Sequence, residues 1–175
     1  MAIKMIQVIM IIVIAVLVAI DQLIKYLINT NMEIGSFKEI IPNFFGLHYV
    51  RNSGAAFSIL EGKRLVLIIV TGLVLIGCLI YLLKRIRSYL LEKISLIMII
   101  SGGIGNLIDR IFRNGLVIDY IRIDFYPAIF NFADCLVTVG VVLFLLALIL
   151  DIVKEAKQKK MKNAEAAEQN LDSNE

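Results

Sequence analysis

Four uncharged, mostly apolar blocks divide the chain. They run from Val8 to Ile20, from Leu65 to Leu83, from Ile94 to Ile108 and from Cys135 to Leu150. A helix rising 1.5 Å per residue needs about 20 residues to cross a hydrocarbon core of about 30 Å. With their polar flanks, the blocks predict spanning helices over about 5–25, 65–83, 94–112 and 134–153. Between the first two, Phe44, Phe45, Leu47 and Tyr49 show partial alternation with aromatic residues. That pattern suits a short sheet lying at a membrane surface. The expected fold class is an α-helical integral membrane protein: a four-helix transmembrane bundle with a small extracytoplasmic β-rich segment between helices 1 and 2.

Composition agrees. The 175 residues are 59% hydrophobic and 19% charged, with a mean hydropathy of +0.86. Soluble domains sit nearer 45–50% apolar. A net charge of +3 with the basic residues in short runs argues against a nucleic-acid binder. Cys78 and Cys135 lie inside apolar blocks, which excludes a disulfide framework. With His48 as the single histidine and no tryptophan, chemistry must come mainly from Asp, Lys, Arg and Asn.

The basic residues orient the bundle. Lys4 precedes the first span; Lys84, Arg85, Arg87 and Lys93 join the second to the third; Lys154, Lys157, Lys159, Lys160 and Lys162 follow the fourth. Lys and Arg concentrate on the cytoplasmic side, which puts both termini there. Residues 1–160 are expected to form one transmembrane domain and 161–175 a disordered cytoplasmic tail. The first block is expected to remain as a span, because no small-x-small site follows it and the helix continues through Asp21-Gln22-Leu23-Ile24-Lys25.

The depth of the carboxylates is informative. Counted from Lys4, Asp21 lies roughly 25 Å along its helix; counted from Lys93, Asp109 lies roughly 24 Å along; counted back from Lys154, Asp134 lies roughly 30 Å away. All three reach the outer edge of the bilayer, and Asp119 lies in the connection on that side. Each has polar company: Lys25 after Asp21, Asn106 and Arg110 around Asp109, and Asn131 before Asp134. Charges at such depth are costly and normally face the bundle interior. The pattern predicts a polar cluster without saying what it does.

Five motifs give the cluster a meaning. They are Asp21-Gln22-x-x-Lys25; Arg51-Asn52-Ser53-Gly54-Ala55-Ala56-Phe57-Ser58; Ser101-Gly102-Gly103-Ile104-Gly105-Asn106-Leu107-Ile108-Asp109-Arg110; Val117-Ile118-Asp119-Tyr120-Ile121; and Asn131-Phe132-Ala133-Asp134. In this order on four spans, from about Asp21 to Leu150, they resemble the bacterial lipoprotein signal peptidases (signal peptidase II). The run from Ile111 to Ile118 is one residue longer than the family's usual form. The glycine pair sits one position closer to Gly105-Asn106, which makes Gly102 the matching glycine.

The resemblance implies an aspartic endopeptidase of the bacterial cytoplasmic membrane, with its active site near the outer leaflet. Such enzymes remove signal peptides from prolipoproteins on the amino side of a diacylglyceryl-modified cysteine. The implied catalytic pair is Asp119 and Asp134. Asp21, Lys25, Asn52, Gly54, Gly102, Asn106, Asp109, Arg110, Asn131 and Ala133 become substrate-binding or supporting positions. Asp21 with Lys25, and Asp109 with Arg110, are expected to neutralise each other. Asn106 and Asn131 can donate to a carboxylate of the pair or to substrate, and Gly54-Ala55-Ala56 with Gly102 to leave clearance for it. The implied partners are lipobox-bearing prolipoproteins and membrane lipid, acting on a monomer, with no cofactor, no metal and no nucleic acid.

Other chemistries are weaker. A Cys135–His48 pair would have to draw its base from the first outer loop, a Ser-Lys pair would need Ser53 or Ser58 beside Lys25, and a hard-cation cage sits poorly with Lys25 and Arg110 among the carboxylates. A small proton- or ion-coupled carrier is the main alternative; carriers usually show repeated halves and midplane sites, and neither is visible here. A purely structural subunit leaves Asp119 unexplained.

Overall fold

The computed structural model describes residues 2–54, 63–84 and 89–172, with side chains from 4 to 161 within those ranges. Ala55, Ala56, Phe57 and Ser58, and likewise Arg85 and Arg87, fall outside the described residues. Helix α1 (Ala2–Asn31) leads into strands β1 (Phe37–Ile41) and β2 (Phe45–Asn52). Then come α2 (Arg64–Lys84), α3 (Leu90–Phe112), β3 (Val117–Ile123) and α4 (Phe132–Asp172). All four helices are long and apolar enough to cross a membrane.

Helix α3 occupies the middle. In its most apolar window 56% of residues are buried, against 17% in each of the other three spans. Its hydropathy is also the lowest, 1.5 against 2.6–3.0. The two facts have one cause: α3 carries the polar side chains, which must turn away from lipid. The apolar core joins Met10 and Ile14 of α1, Leu82 of α2, and Leu96 and Ile100 of α3. Exposed apolar residues such as Ile12, Ile69, Leu73 and Val142 cover the outward helix faces, where a lipid solvent would meet them.

The sheet is antiparallel in the order β1-β2-β3. Its third strand comes from the connection between α3 and α4, so the sheet is not confined to the segment between helices 1 and 2. Tyr49, Ile118 and Tyr120 pack its inner face on Ile28 of α1. The run from Ile111 to Ile118 finishes α3 and turns at Asn114 (φ 55°) and Gly115 (φ 90°) before entering β3.

Two helices outrun the sequence expectation. Helix α1 continues past Lys25 to Asn31, because its polar residues are buried against α3 and do not mark a water boundary. Helix α4 continues to Asp172 through residues expected to be a disordered tail. Ala164, Glu165, Ala166, Ala167, Glu168 and Gln169 are all strong helix formers.

Close approach of α3 and α4 requires small residues. A Cβ on Gly102 would collide with the carbonyl oxygen of Ala133 and lie 2.9 Å from Val137. On Gly140 it would meet the Ser95 carbonyl at 2.9 Å. Gly72 of α2 has nothing within 4 Å of such an atom. Gly102→Ala should therefore destabilise the fold by about 1–3 kcal/mol, whereas Gly72→Ala should leave stability unchanged or raise it; thermal unfolding of the two variants in detergent checks the contrast.

Candidate active site

A buried lysine organises one half of the cluster. Lys25 and Asp21 are one turn apart on α1, and their ion pair measures 3.0 Å. The same ammonium lies 3.0 Å from Asp109 on α3, and all three side chains are fully buried. Its remaining partner is Asn106 Oδ1, at 2.9 Å. Asp109 is further held by Arg113 at 3.1 Å and by Gln22 at 3.2 Å. Buried charges persist only when paired and hydrogen-bonded, and here they are.

The expected Asp109–Arg110 pair does not form. Consecutive helix residues point about 100° apart and do not face one another. Asp109 takes Arg113, four residues on, while Arg110 donates to the carbonyls of Gly54 (3.0 Å) and Asn106 (3.4 Å). Among the described residues, Arg110 Nε has no hydrogen-bond partner. The other predicted pair, Asp21–Lys25, is present.

These two aspartates also position the backbone. Asp21 Oδ1 accepts the Ala133 N–H at 3.1 Å, docking the start of α4 on α1. A carboxylate there also meets the positive end of the helix. Space for Asp21 exists because α3 carries Gly105, whose Cβ would strike its carboxylate. Asp109 Oδ2 accepts the Ile118 N–H at 3.2 Å, tying β3 to α3 one residue before Asp119. Arg64 closes the C-terminal end of α3 by donating to the carbonyls of Arg110 and Ile111, at 3.1 and 2.8 Å.

Asp119 and Asp134 meet through asparagines. Asn131 immediately precedes α4. Its Oδ1 accepts the Asp134 N–H at 3.0 Å, while Asp134 Oδ2 accepts the Asn131 N–H at 3.0 Å. That reciprocal arrangement is a capping box built from Asn and Asp. The free amide nitrogen of Asn131 then donates to Asp119 Oδ1 at 2.6 Å and to Asn106 Oδ1 at 3.1 Å. Asn52 donates to Asp119 Oδ2 at 2.9 Å, and Asn106 donates to Asp134 Oδ1 at 2.7 Å. One side chain, Asn131, thus touches both carboxyl-bearing residues.

Burial pushes the Asp119 carboxyl up to about 7; the charge of Asp134 adds to the rise, and donors from Asn52 and Asn131 and the charge of Lys25 oppose it. Tyr120, next in β3, is also raised, chiefly by burial, and its hydroxyl accepts the Phe132 N–H at 3.2 Å.

Both aspartates open on a cavity of about 1310 Å³. Val70, Thr71, Val74 and Leu75 of α2 form one wall, Cys135 and Thr138 of α4 another, and residues 125–130 a third. Asn52, Gly54, Asn106 and Arg110 also line it. His48 lies elsewhere, edge-on to Phe37 at 6.0 Å between ring centroids, so no imidazole touches Cys135 among the described residues. Lys25 is committed to two carboxylates and Asn106, which leaves it no role beside Ser53.

A family model described as signal peptidase (SPase) II matches residues 13–150. The chain belongs to the signal peptidase II family. It is accordingly a peptidase of a bacterial membrane, which sets the carrier alternative aside. A lipoprotein signal peptidase of Streptococcus agalactiae serotype Ia is 45% identical over 133 residues, covering 75% of this chain and 86% of that protein. One from Enterococcus faecalis is 41% identical over 148 residues, covering 83% and 90%. A solved bacterial membrane enzyme is 36% identical and superposes with a TM-score of 0.75, covering 82% of this chain and 88% of the other.

Among the described residues, Asp21, Lys25, Asn52, Gly54, Gly102, Asn106, Asp109, Arg110, Asp119, Asn131, Ala133 and Asp134 come together in this one region. Gln22, Arg64, Arg113 and Tyr120 were not singled out from the sequence. Gln22 beside Asp21, Arg113 one turn after Asp109 and Tyr120 beside Asp119 carried a readable signal; Arg64 acts on distant backbone and left none. Lys25→Met, which strands two buried carboxylates, should cost about 3–5 kcal/mol, measured as a lowered unfolding midpoint in detergent.

Proposed function

We propose that this peptidase removes signal peptides from prolipoproteins, cutting on the amino side of a diacylglyceryl-modified cysteine with Asp119 and Asp134 as its catalytic pair. The observation that carries this reading is the shared contact: two carboxyls from β3 and α4, one accepting the side-chain amide of Asn131 and the other its backbone N–H, face one cavity. The names of the relatives supply the substrate class. The family's motif residues Asp21, Lys25, Asn52, Gly54, Gly102, Asn106, Asp109, Arg110, Asn131 and Ala133 support the pair by the contacts described above.

Two carboxyls that act on one another electrostatically in a buried site keep one proton between them, because both cannot ionise cheaply there. With one proton the pair carries a single negative charge, which the buried Arg110 guanidinium balances. The ionised member draws a proton from water while the protonated member hydrogen-bonds the carbonyl of the scissile amide. The apolar α2 wall suits a lipidated peptide, and a low local dielectric strengthens both interactions.

The site lies at the extracytoplasmic end of the bundle in this reading, with both termini in the cytoplasm. Support comes from Lys154, whose ammonium sits 4.2 Å from the Tyr89 ring, so that the basic tail and the start of α3 share the end opposite the sheet.

Asp119→Asn and Asp134→Asn should each insert into membranes normally and abolish cleavage of a diacylglyceryl-modified precursor; normal turnover by either variant would show the pair to be wrongly assigned. The pH profile gives a second check. Loss of the shared proton ends activity on the alkaline side, and the donors on Asp119 favour its ionised form. Removing one with Asn52→Ala should raise the Asp119 pKa and move the alkaline limb of kcat/KM to higher pH.

A further inference from the structure

Each oxygen of Asp119 and Asp134 accepts one N–H, yet the donors differ. The amides of Asn52 and Asn131, which serve Asp119, take neutral backbone N–H groups on their own oxygens, from Gly54 at 2.9 Å and Asp134 at 3.0 Å. The amide of Asn106, which serves Asp134, accepts the Lys25 ammonium at 2.9 Å. A cation on the carbonyl oxygen polarises an amide and makes its N–H the stronger donor. Asp134 also occupies the first turn of α4, where the helix field favours a carboxylate. Asp119 lies on a strand, which offers no comparable dipole.

We propose that Lys25, acting through Asn106, is a positioning residue that holds the negative charge of the pair on Asp134 and the shared proton on Asp119. This rests on the two-aspartate reading above and adds to it an assignment of base and acid. The other fixed charge facing the pair is Arg110, which acts on both carboxyls electrostatically while its hydrogen bonds go to backbone carbonyls. The direct charge of Lys25 on Asp119 works the other way, but burial and the charge of Asp134 outweigh it, and the raised Asp119 carboxyl agrees with a resident proton.

The chemistry then has a direction. Asp134 takes a proton from water as the water oxygen bonds to the scissile carbon; the carbonyl π pair moves to oxygen, which takes the proton of Asp119. In the second step Asp119 removes a hydroxyl proton from the tetrahedral diol and the carbonyl re-forms. The C–N bond breaks, and nitrogen keeps the pair and takes the proton held by Asp134. Both side chains return to their starting states.

The test uses the full chain in lipid and a diacylglyceryl-modified precursor. The charge-balanced variant Asp21→Asn/Lys25→Met switches the relay off from one end, and Asn106→Ala removes its middle while Lys25 keeps both carboxylates. Each should lower kcat more than it alters KM. Each should also move the acid limb of the pH profile upward by roughly one unit, tenfold in proton concentration. Combining them should add no further shift, because both act on one link. An unmoved acid limb in Asn106→Ala, or shifts that add in full, would overturn the relay. Since Asn106→Ala strands no charge, an unmoved acid limb in it overturns the relay even if the double variant fails to fold, while a moved limb supports the Asn106 link and only its non-additivity with Asp21→Asn/Lys25→Met assigns that link to Lys25. Inactive but inserted Asp119→Asn and Asp134→Asn keep the two-aspartate reading standing in either case, whereas cleavage by either would overturn both.

Discussion

Charge neutrality in an apolar medium governs this molecule. Lys25 is fully buried, as are Asp21 and Asp109, and any one of them alone would carry a desolvation cost of several kcal/mol. Together with the partly exposed Arg113 they form a balanced set. Because its members sit on α1 and α3, balance is reached only when these helices pack in one register. The set is therefore a registry device as well as an electrostatic one.

The same groups reach outward into the site. Asp21 accepts from the backbone of α4, Asp109 accepts from the backbone of β3, and Lys25 donates to Asn106. Asp134 stands at the start of the first of these elements and Asp119 near the start of the second. The paired ions thus locate two carboxyls that have no ion pair among the described residues. The glycines of α3 serve the same end: Gly102 admits the Ala133 carbonyl and Gly105 the Asp21 carboxylate.

Much of this was legible along the chain. Burying charge is expensive, so an Asp or Lys late in an apolar helix must find partners, and the matched depths of Asp21, Asp109 and Asp134 pointed to one cluster. The Asp21–Lys25 pair followed from helical spacing. The Asp109–Arg110 pair failed for the same kind of reason, since neighbours on a helix diverge. The helical content of the last segment was underestimated because polar composition was read as disorder, although its residue types favour a helix.

The sequence by itself determined that four helices are apolar enough to span a membrane and which kinds of groups gather at one end, because hydropathy and the rise of a helix are local properties that need no partner. Only the tertiary structure decided who meets whom. Lys25 reaching Asp109, β3 joining the sheet, and Asn131 capping α4 while donating to Asp119 all join residues distant in the chain or on different elements. Such contacts are selected by packing and by the requirement that every buried donor and acceptor be satisfied at once.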